Sequence, residues 1–167
     1  MFYNSSMDKE GFIPETEDSS NAEKIEASAS FEVVPRDVLL EKIRQFQENP
    51  DFAVKLLFSD KSLSGCDEGV IMEKESKLIG VATIAPKGES GAGQPSISAF
   101  YIAPEHRGNE YGGQILKRAM ERCVERGFVK IRVDIMSINA ANLMEKLPAE
   151  IKDKMDIHYF RRLMDEF

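Results

Sequence analysis

Residues 102–127 read Ile102-Ala-Pro-Glu-His-Arg-Gly-Asn-Glu-Tyr-Gly-Gly113 followed by Gln114-Ile-Leu-Lys-Arg-Ala-Met-Glu-Arg-Cys-Val-Glu-Arg-Gly127. The second half carries one apolar stripe: Tyr111, Ile115, Leu116, Ala119, Met120, Cys123 and Val124 recur at spacings of three and four. Lys117, Arg118, Glu121, Arg122 and Glu125 fill the opposite side, so the spacing predicts an amphipathic helix over 111–126. Gly127 stands where a glycine just past the last turn closes a helix. The first half is a glycine-rich turn that leads from an apolar run into that helix. The first turn of a helix has N–H groups without intrahelical acceptors and a partial positive charge, so such a turn can hold a phosphate. Glycines let the backbone approach that ligand closely.

Outward from this turn, residues 96–103 carry aromatic and branched residues and read as a strand, and 129–135 reads as the strand after the helix. A strand–helix–strand unit of this kind is a right-handed parallel crossover. Upstream, 70–73 and 78–84 form a hairpin about the charged turn 74–77, and 31–34 is a short strand ended by Pro35. Val38, Leu39, Ile43 and Phe46 mark a helix that stops at Asn49-Pro50, and 51–58 is a second helical stretch. Residues 59–69 read as a polar loop and 87–95 as a glycine-rich one. A helix over 139–146 is interrupted at Pro148 and continues in 149–154, and 155–160 is a last strand. Three successive strands in the middle exclude an all-parallel sheet. The fold class is α/β with a mixed sheet.

The chain has 167 residues, enough for one domain, and a formal net charge of −7. Seven acidic against two basic residues give the first 30 positions −5, with no apolar period, so they read as a flexible acidic tail before a domain over 31–167. Phe2, Tyr3, Phe12 and Ile13 offer that tail docking points for a partner or a second copy. The tail's acidity argues against nucleic acid as a partner. Segment 107–132 reverses the sign. Arg107, Lys117, Arg118, Arg122, Arg126, Lys130 and Arg132 against Glu110, Glu121 and Glu125 give +4, which suits either a polyphosphate or a solvated helix face. No apolar run nears the ~18 residues of a membrane span, and the start of the chain lacks a secretory pattern. Cys66, Cys123 and two histidines form no metal-ligand spacing, so no metal is expected. The thiols read as reduced, in the cytoplasm.

With these residues in view, the chain resembles the GNAT superfamily of N-acetyltransferases. The family's pyrophosphate loop, Arg/Gln-x-x-Gly-x-Gly/Ala, is similar to Arg107-Gly108-Asn109-Glu110-Tyr111-Gly112. The apolar-x-Pro lead is Ile102-Ala103-Pro104, and the later Asn139-Ala-Ala-Asn-Leu-Met-Glu-Lys146 looks like the start of the family's next helix. The resemblance spans residues 31–160. It implies an acyl-CoA N-acyltransferase fold with about six to seven strands and about four helices, and acetyl-CoA as co-substrate. It also implies transfer of an acetyl group to a primary amine of a small molecule or protein. Carried over residue by residue, Arg107, Gly108, Asn109, Glu110, Tyr111, Gly112 and Gly113 surround the diphosphate, the strand backbone at Phe100–Ile102 pairs with the pantetheine arm, and Asn139 or Asn142 bonds that arm. Strands 96–103 and 129–136 splay where the thioester enters, and N–H groups there hold the oxyanion. The acceptor pocket falls to 36–58 and 87–95. The family's further strand after residue 160 falls to 161–167 or to a partner chain.

Several positions depart from the pattern. Glu110 stands where the motif, after its Arg/Gln, has its first glycine. It either turns away from a working loop or acts only as a first-turn acid that favours the helix. The family's tyrosine, proton donor to the leaving thiolate, falls on Met144, and no acid stands at the start of strand 96–103. Tyr101 and Asp134, on the strands flanking the splay, are the catalytic candidates; the plain alternatives are a half-buried strand aromatic and a paired acid. Asn139 also reads as a helix N-cap. His106 is expected exposed, His158 packed or exposed, and the methionines core filler. Two other functions stay open: a fold that has lost chemistry and binds a partner, and a coenzyme sensor without transfer.

Overall fold

Branched and aromatic residues at alternating positions pair into one sheet of six strands in the order of the chain. The computed structural model describes residues 28–47, 52–88, 93–135 and 137–159. Strands β1 (Ser30–Pro35), β2 (Glu68–Lys74), β3 (Lys77–Ala85) and β4 (Ser96–Ile102) are antiparallel neighbours. β5 (Ile131–Ile135) joins β4 in parallel, and β6 (Met155–Tyr159) joins β5 in parallel. The mixed sheet and the element order are those expected. Helices α1 (Arg36–Gln47) and α2 (Phe52–Leu57) lie between β1 and β2, α4 (Tyr111–Glu125) between β4 and β5, and α5 (Ile138–Lys146) between β5 and β6. The segment 59–69, expected as loop, holds a one-turn helix α3 (Asp60–Leu63), because Ser59 caps it by accepting from the Ser62 N–H. A second one-turn helix, α6 (Ala149–Lys152), follows Pro148. The acidic segment 1–30, up to residue 27, and the segment 160–167 lie outside the described residues. Among the described residues, no helix is long and apolar enough to cross a membrane.

Each face of the sheet carries its own core. Val70, Met72, Ala82, Ile84, Ile97, Ile102, Ile131, Val133 and Ile135 point to α4 and α5 and meet Ile115, Leu116, Ala119, Met120, Cys123, Ala141 and Met144. Ile71, Val81, Ala99 and Tyr101 point the other way and meet Leu39, Ile43, Phe46, Val54 and Phe58. The stripe read from the sequence is the buried side of α4, except that Val124 lies out in solvent at 39% exposure. Gly127 closes α4 as expected. Its φ is 83°, its N–H donates to the Val124 carbonyl (2.9 Å) and the Phe128 N–H to the Cys123 carbonyl (3.0 Å), the two bonds of a Schellman cap.

Both cysteines are free and buried. Burial pushes the Cys123 thiol up to about 12, and burial raises Cys66 too, against the opposing pull of Arg36. An unfolded thiol titrates near ~8.5. The buried neutral thiols therefore stabilise the fold fully below that pH, and the contribution is lost as pH rises toward the folded values. Urea unfolding should give a flat stability from pH 6 to 8 and a decline above about pH 9. Cys123→Ala should lower stability at pH 7 but shrink the alkaline decline; an identical decline in the variant would show that Cys123 is not its source.

Candidate functional site

The parting of β4 from β5 positions the site. Their pairing is confined to Ser96↔Arg132 and Ile97↔Val133, although β4 runs on to Ile102 and β5 to Ile135. The register of β3 against β4 slips at the same place: Ile84 pairs Ile97, Thr83 pairs Ala99, and Ser98 is the extra residue of a β-bulge. Beyond the bulge the Ala103 N–H donates to the Ile79 carbonyl (2.8 Å). By the alternation of a strand, Tyr101 also turns its peptide edge to β3, while Phe100 and Ile102 turn theirs to the side β5 has left. These are the two strand positions assigned to a pantetheine arm, and they stand on the edge β5 has left, with the Ile102 carbonyl taken by Arg107 Nε.

At the end of that edge the chain enters the loop before α4. The His106 N–H reaches the Ala103 carbonyl (2.9 Å), the Arg107 N–H reaches the Pro104 carbonyl (3.2 Å), and the Gln114 N–H starts the helix on the Glu110 carbonyl (3.2 Å). Among the described residues, no backbone carbonyl accepts from the six N–H groups of Gly108, Asn109, Glu110, Tyr111, Gly112 and Gly113. N–H groups without a backbone acceptor at a helix head suit an anion. Two residues of the loop are left-handed, Gly108 (φ 82°) and Glu110 (φ 61°). Glycine accepts that conformation freely, whereas Glu110 carries about 1–2 kcal/mol of steric cost. The Glu110 side chain is exposed and makes no capping bond. The stabilising first-turn role considered for it therefore includes no bond to the helix head. Gly112 has a packing reason as well: a Cβ there would stand 3.2 Å from Leu143 of α5 and 3.5 Å from the Phe100 ring.

The other candidates fall as follows. Arg107 folds back on β4, its Nε donating to the Ile102 carbonyl (2.9 Å) and its guanidinium lying 5.4 Å from the Tyr101 ring centre. The Asn109 side chain donates to the His106 carbonyl. Tyr101 is buried on the α1 face, edge-on to Phe46 and Phe58. Asp134 points to that same face, since Val133 and Ile135 point to α4. It pairs with Arg132 (2.9 Å), and its register partner on β6 is His158. Both candidates thus flank the splay on one face, as a buried aromatic and a paired acid. His158 is exposed and sits 3.0 Å from Asp156, whose carboxyl is held below its usual range by Gln94 first and His158 second. Asn139 and Asn142 are exposed on α5. Ser137, not Asn139, caps that helix, because the chain turns helical one residue before Asn139 and the Ser137 hydroxyl accepts from the Ala140 N–H (3.1 Å). Met144 is 1% exposed in the core. Among the described residues, no cluster of acids, histidines and cysteines could hold a metal.

The structure decides between the two readings of the basic segment. Arg122 grips Glu68 with two bonds (2.9 and 3.1 Å), and Arg126 holds Asp67 and Glu68. Arg118 reaches Glu125, Lys117 reaches Glu121, Lys130 the Asp153 carbonyl and Arg132 Asp134. Asp67 first and Glu68 next raise the Arg126 guanidinium above its usual value. These cations are paired within the chain. What sequence reasoning missed is the bulge; its signal was the pair of small polar residues Thr83 and Ser98 inside otherwise apolar strands.

The model of the Acetyltransferase (GNAT) family matches residues 36–147. Among solved structures, the IAA acetyltransferase of Bacillus cereus is similar at 17% identity over 71% of this chain and 75% of that one, with a TM-score of 0.51. A predicted acetyltransferase of Clostridium acetobutylicum, solved with acetyl-CoA, is 20% identical over 71% and 88% of the two chains, with a TM-score of 0.47. No curated protein matches the chain.

The strain at Glu110 has a measurable consequence. Glu110→Gly removes the steric cost and adds about 0.4–1 kcal/mol of unfolded-chain freedom, so urea unfolding should show a net gain of up to about 1.6 kcal/mol. Glu110→Val should lose more than about 1 kcal/mol, because a branched Cβ tolerates the left-handed region worst. Equal stabilities of the two variants would show that residue 110 is not left-handed.

Proposed function

The chain belongs to the GNAT acetyltransferase family, whose co-substrate is acetyl-CoA, and on that premise we propose that it moves an acetyl group from acetyl-CoA to a primary amine. The observation that carries this is the continuity of six free N–H groups at the head of α4 with the open edge of β4. The loop donors of residues 108–113 would hold the diphosphate. The edges of Phe100 and Ile102 would bond the amides of the arm, and Asn139 and Asn142 face solvent on the helix beside it. Acetyl-CoA supplies an activated acetyl group as its thioester. The chain's own part is to place N–H donors where the splay starts, so that negative charge developing on oxygen is met by fixed dipoles. The acceptor must arrive as a neutral amine, and Asp134 is the acid on the splay-flanking strands that can take its proton directly or through water. Tyr101 walls the same side. Two buried free thiols fit a reducing cytoplasm.

Met144 favours a second reading, coenzyme binding without transfer. Where the family's pattern puts a proton donor, this chain puts a buried thioether, so the leaving thiolate has no donor at that position.

Isothermal titration with acetyl-CoA is the first test, with saturable 1:1 binding expected. Glu110→Gln, which removes one exposed charge beside the diphosphate, should tighten it about fivefold at low salt and less at high salt. Absence of binding would overturn the proposal. Release of free thiol on offering a panel of primary amines then separates transfer from binding alone. Asp134→Asn should cut that release about 100-fold with little change in acetyl-CoA affinity; full activity in the variant would remove Asp134 from the mechanism.

A further inference from the structure

We infer that Thr83 is a positioning residue for the pantetheine arm: its buried hydroxyl holds the bulge at Ser98 that turns the peptide edges of Phe100 and Ile102 toward the gap between β4 and β5. The inference rests on the reading of that edge as the coenzyme's. Thr83 is 0% exposed in a strand whose neighbours are Ala82 and Ile84, and with Ser96 it makes up the buried polar side chains of the described residues. Its Oγ1 accepts from the Ala99 N–H at 2.8 Å, lies 2.9 Å from the Ser98 hydroxyl and 3.4 Å from the Ala99 carbonyl. One side chain thus serves both residues that the bulge displaces from the ladder.

The bulge sets the phase of all that follows. Ile97 points to α4, Ser98 and Ala99 both fall on the α1 face, and Phe100 and Ile102 return to the α4 face. Without the extra residue every later side chain and peptide edge would swap sides. Tyr101 would leave Phe46 and Phe58, and the edges of Phe100 and Ile102 would turn to β3. The aromatic packing therefore keeps the phase in a variant without the hydroxyl. What such a variant loses is the anchor of the Ala99 N–H, and with it the fixed aim of the next edge donor.

Thr83→Val keeps the shape and removes the bond; Thr83→Ser keeps the bond. Two probes separate arm from nucleotide: acetyl-CoA, and 3′-phosphoadenosine 5′-diphosphate, which lacks the arm. Thr83→Val should bind acetyl-CoA about tenfold more weakly and the nucleotide within about twofold of wild type, and Thr83→Ser should restore acetyl-CoA binding. Exchange of the Ala99 amide, followed by NMR without ligand, should rise about tenfold in Thr83→Val and return in Thr83→Ser, with Val70 unchanged as reference. Should Thr83→Val fail to fold, Thr83→Ala takes its place in both measurements. Unchanged acetyl-CoA affinity, equal loss for both probes, or failure of the serine to rescue would overturn the inference. A wild-type chain that binds neither probe overturns the transferase reading and the role toward the arm with it, whereas unchanged Ala99 exchange overturns the role of Thr83 alone.

Discussion

A strand in the middle of a sheet has its N–H and C=O groups bonded on both sides, and Ile97 is the last residue of β4 for which β5 provides the second side. From Ser98 onward the strand keeps β3 and loses β5. An unpaired strand edge inside a fold is costly unless something covers or uses it. In this chain Arg107 covers its far end by donating to the Ile102 carbonyl. The stretch between runs on to the N–H groups ahead of α4. One bulge, placed one residue after the last parallel pair, sets which way the later peptide edges of β4 face.

The same economy governs charge. The excess of cations in 107–132 reads as a polyphosphate surface until its partners are known. Arg122 and Arg126 reach back to Asp67 and Glu68, which open β2, and so fasten the far end of α4 across the sheet. With that end pinned by ion pairs and its buried stripe packed on the sheet, the head of the helix is fixed relative to β4.

The sequence made the elements legible because each was written in one period. The stripe Ile115, Leu116, Ala119, Met120 and Cys123 could only be one side of a helix, and Gly127 could only close it. The splay was readable only through the resemblance, because a parting of strands leaves no periodic mark. Local competition decided the errors. Ser137 outcompeted Asn139 as cap because the helix begins at Ile138. Charge counting could not see Asp67 and Glu68, which lie more than fifty positions from Arg122 in the chain. The bulge was illegible because Ser98 alone, without Thr83 opposite it, is an ordinary strand residue.

Glu110 shows how a departure from a family pattern can leave the geometry intact. The motif has glycine there because the chain must turn left-handed before the helix, and φ at Glu110 is 61°. The surrounding bonds, from the Arg107 and Gln114 N–H groups on either side, hold the turn whatever residue fills it. The cost is steric and electrostatic, and neither part reaches the donors: the side chain is exposed, makes no bond to the helix head, and leaves the six N–H groups without a carbonyl partner. Met144 differs in kind. Its side chain packs in the core with no polar atom able to give a proton. On the proposed reading the two departures bear on separate steps, coenzyme affinity and thiolate protonation. A chain carrying both should still bind its coenzyme and should differ from its relatives first in how the thiol leaves.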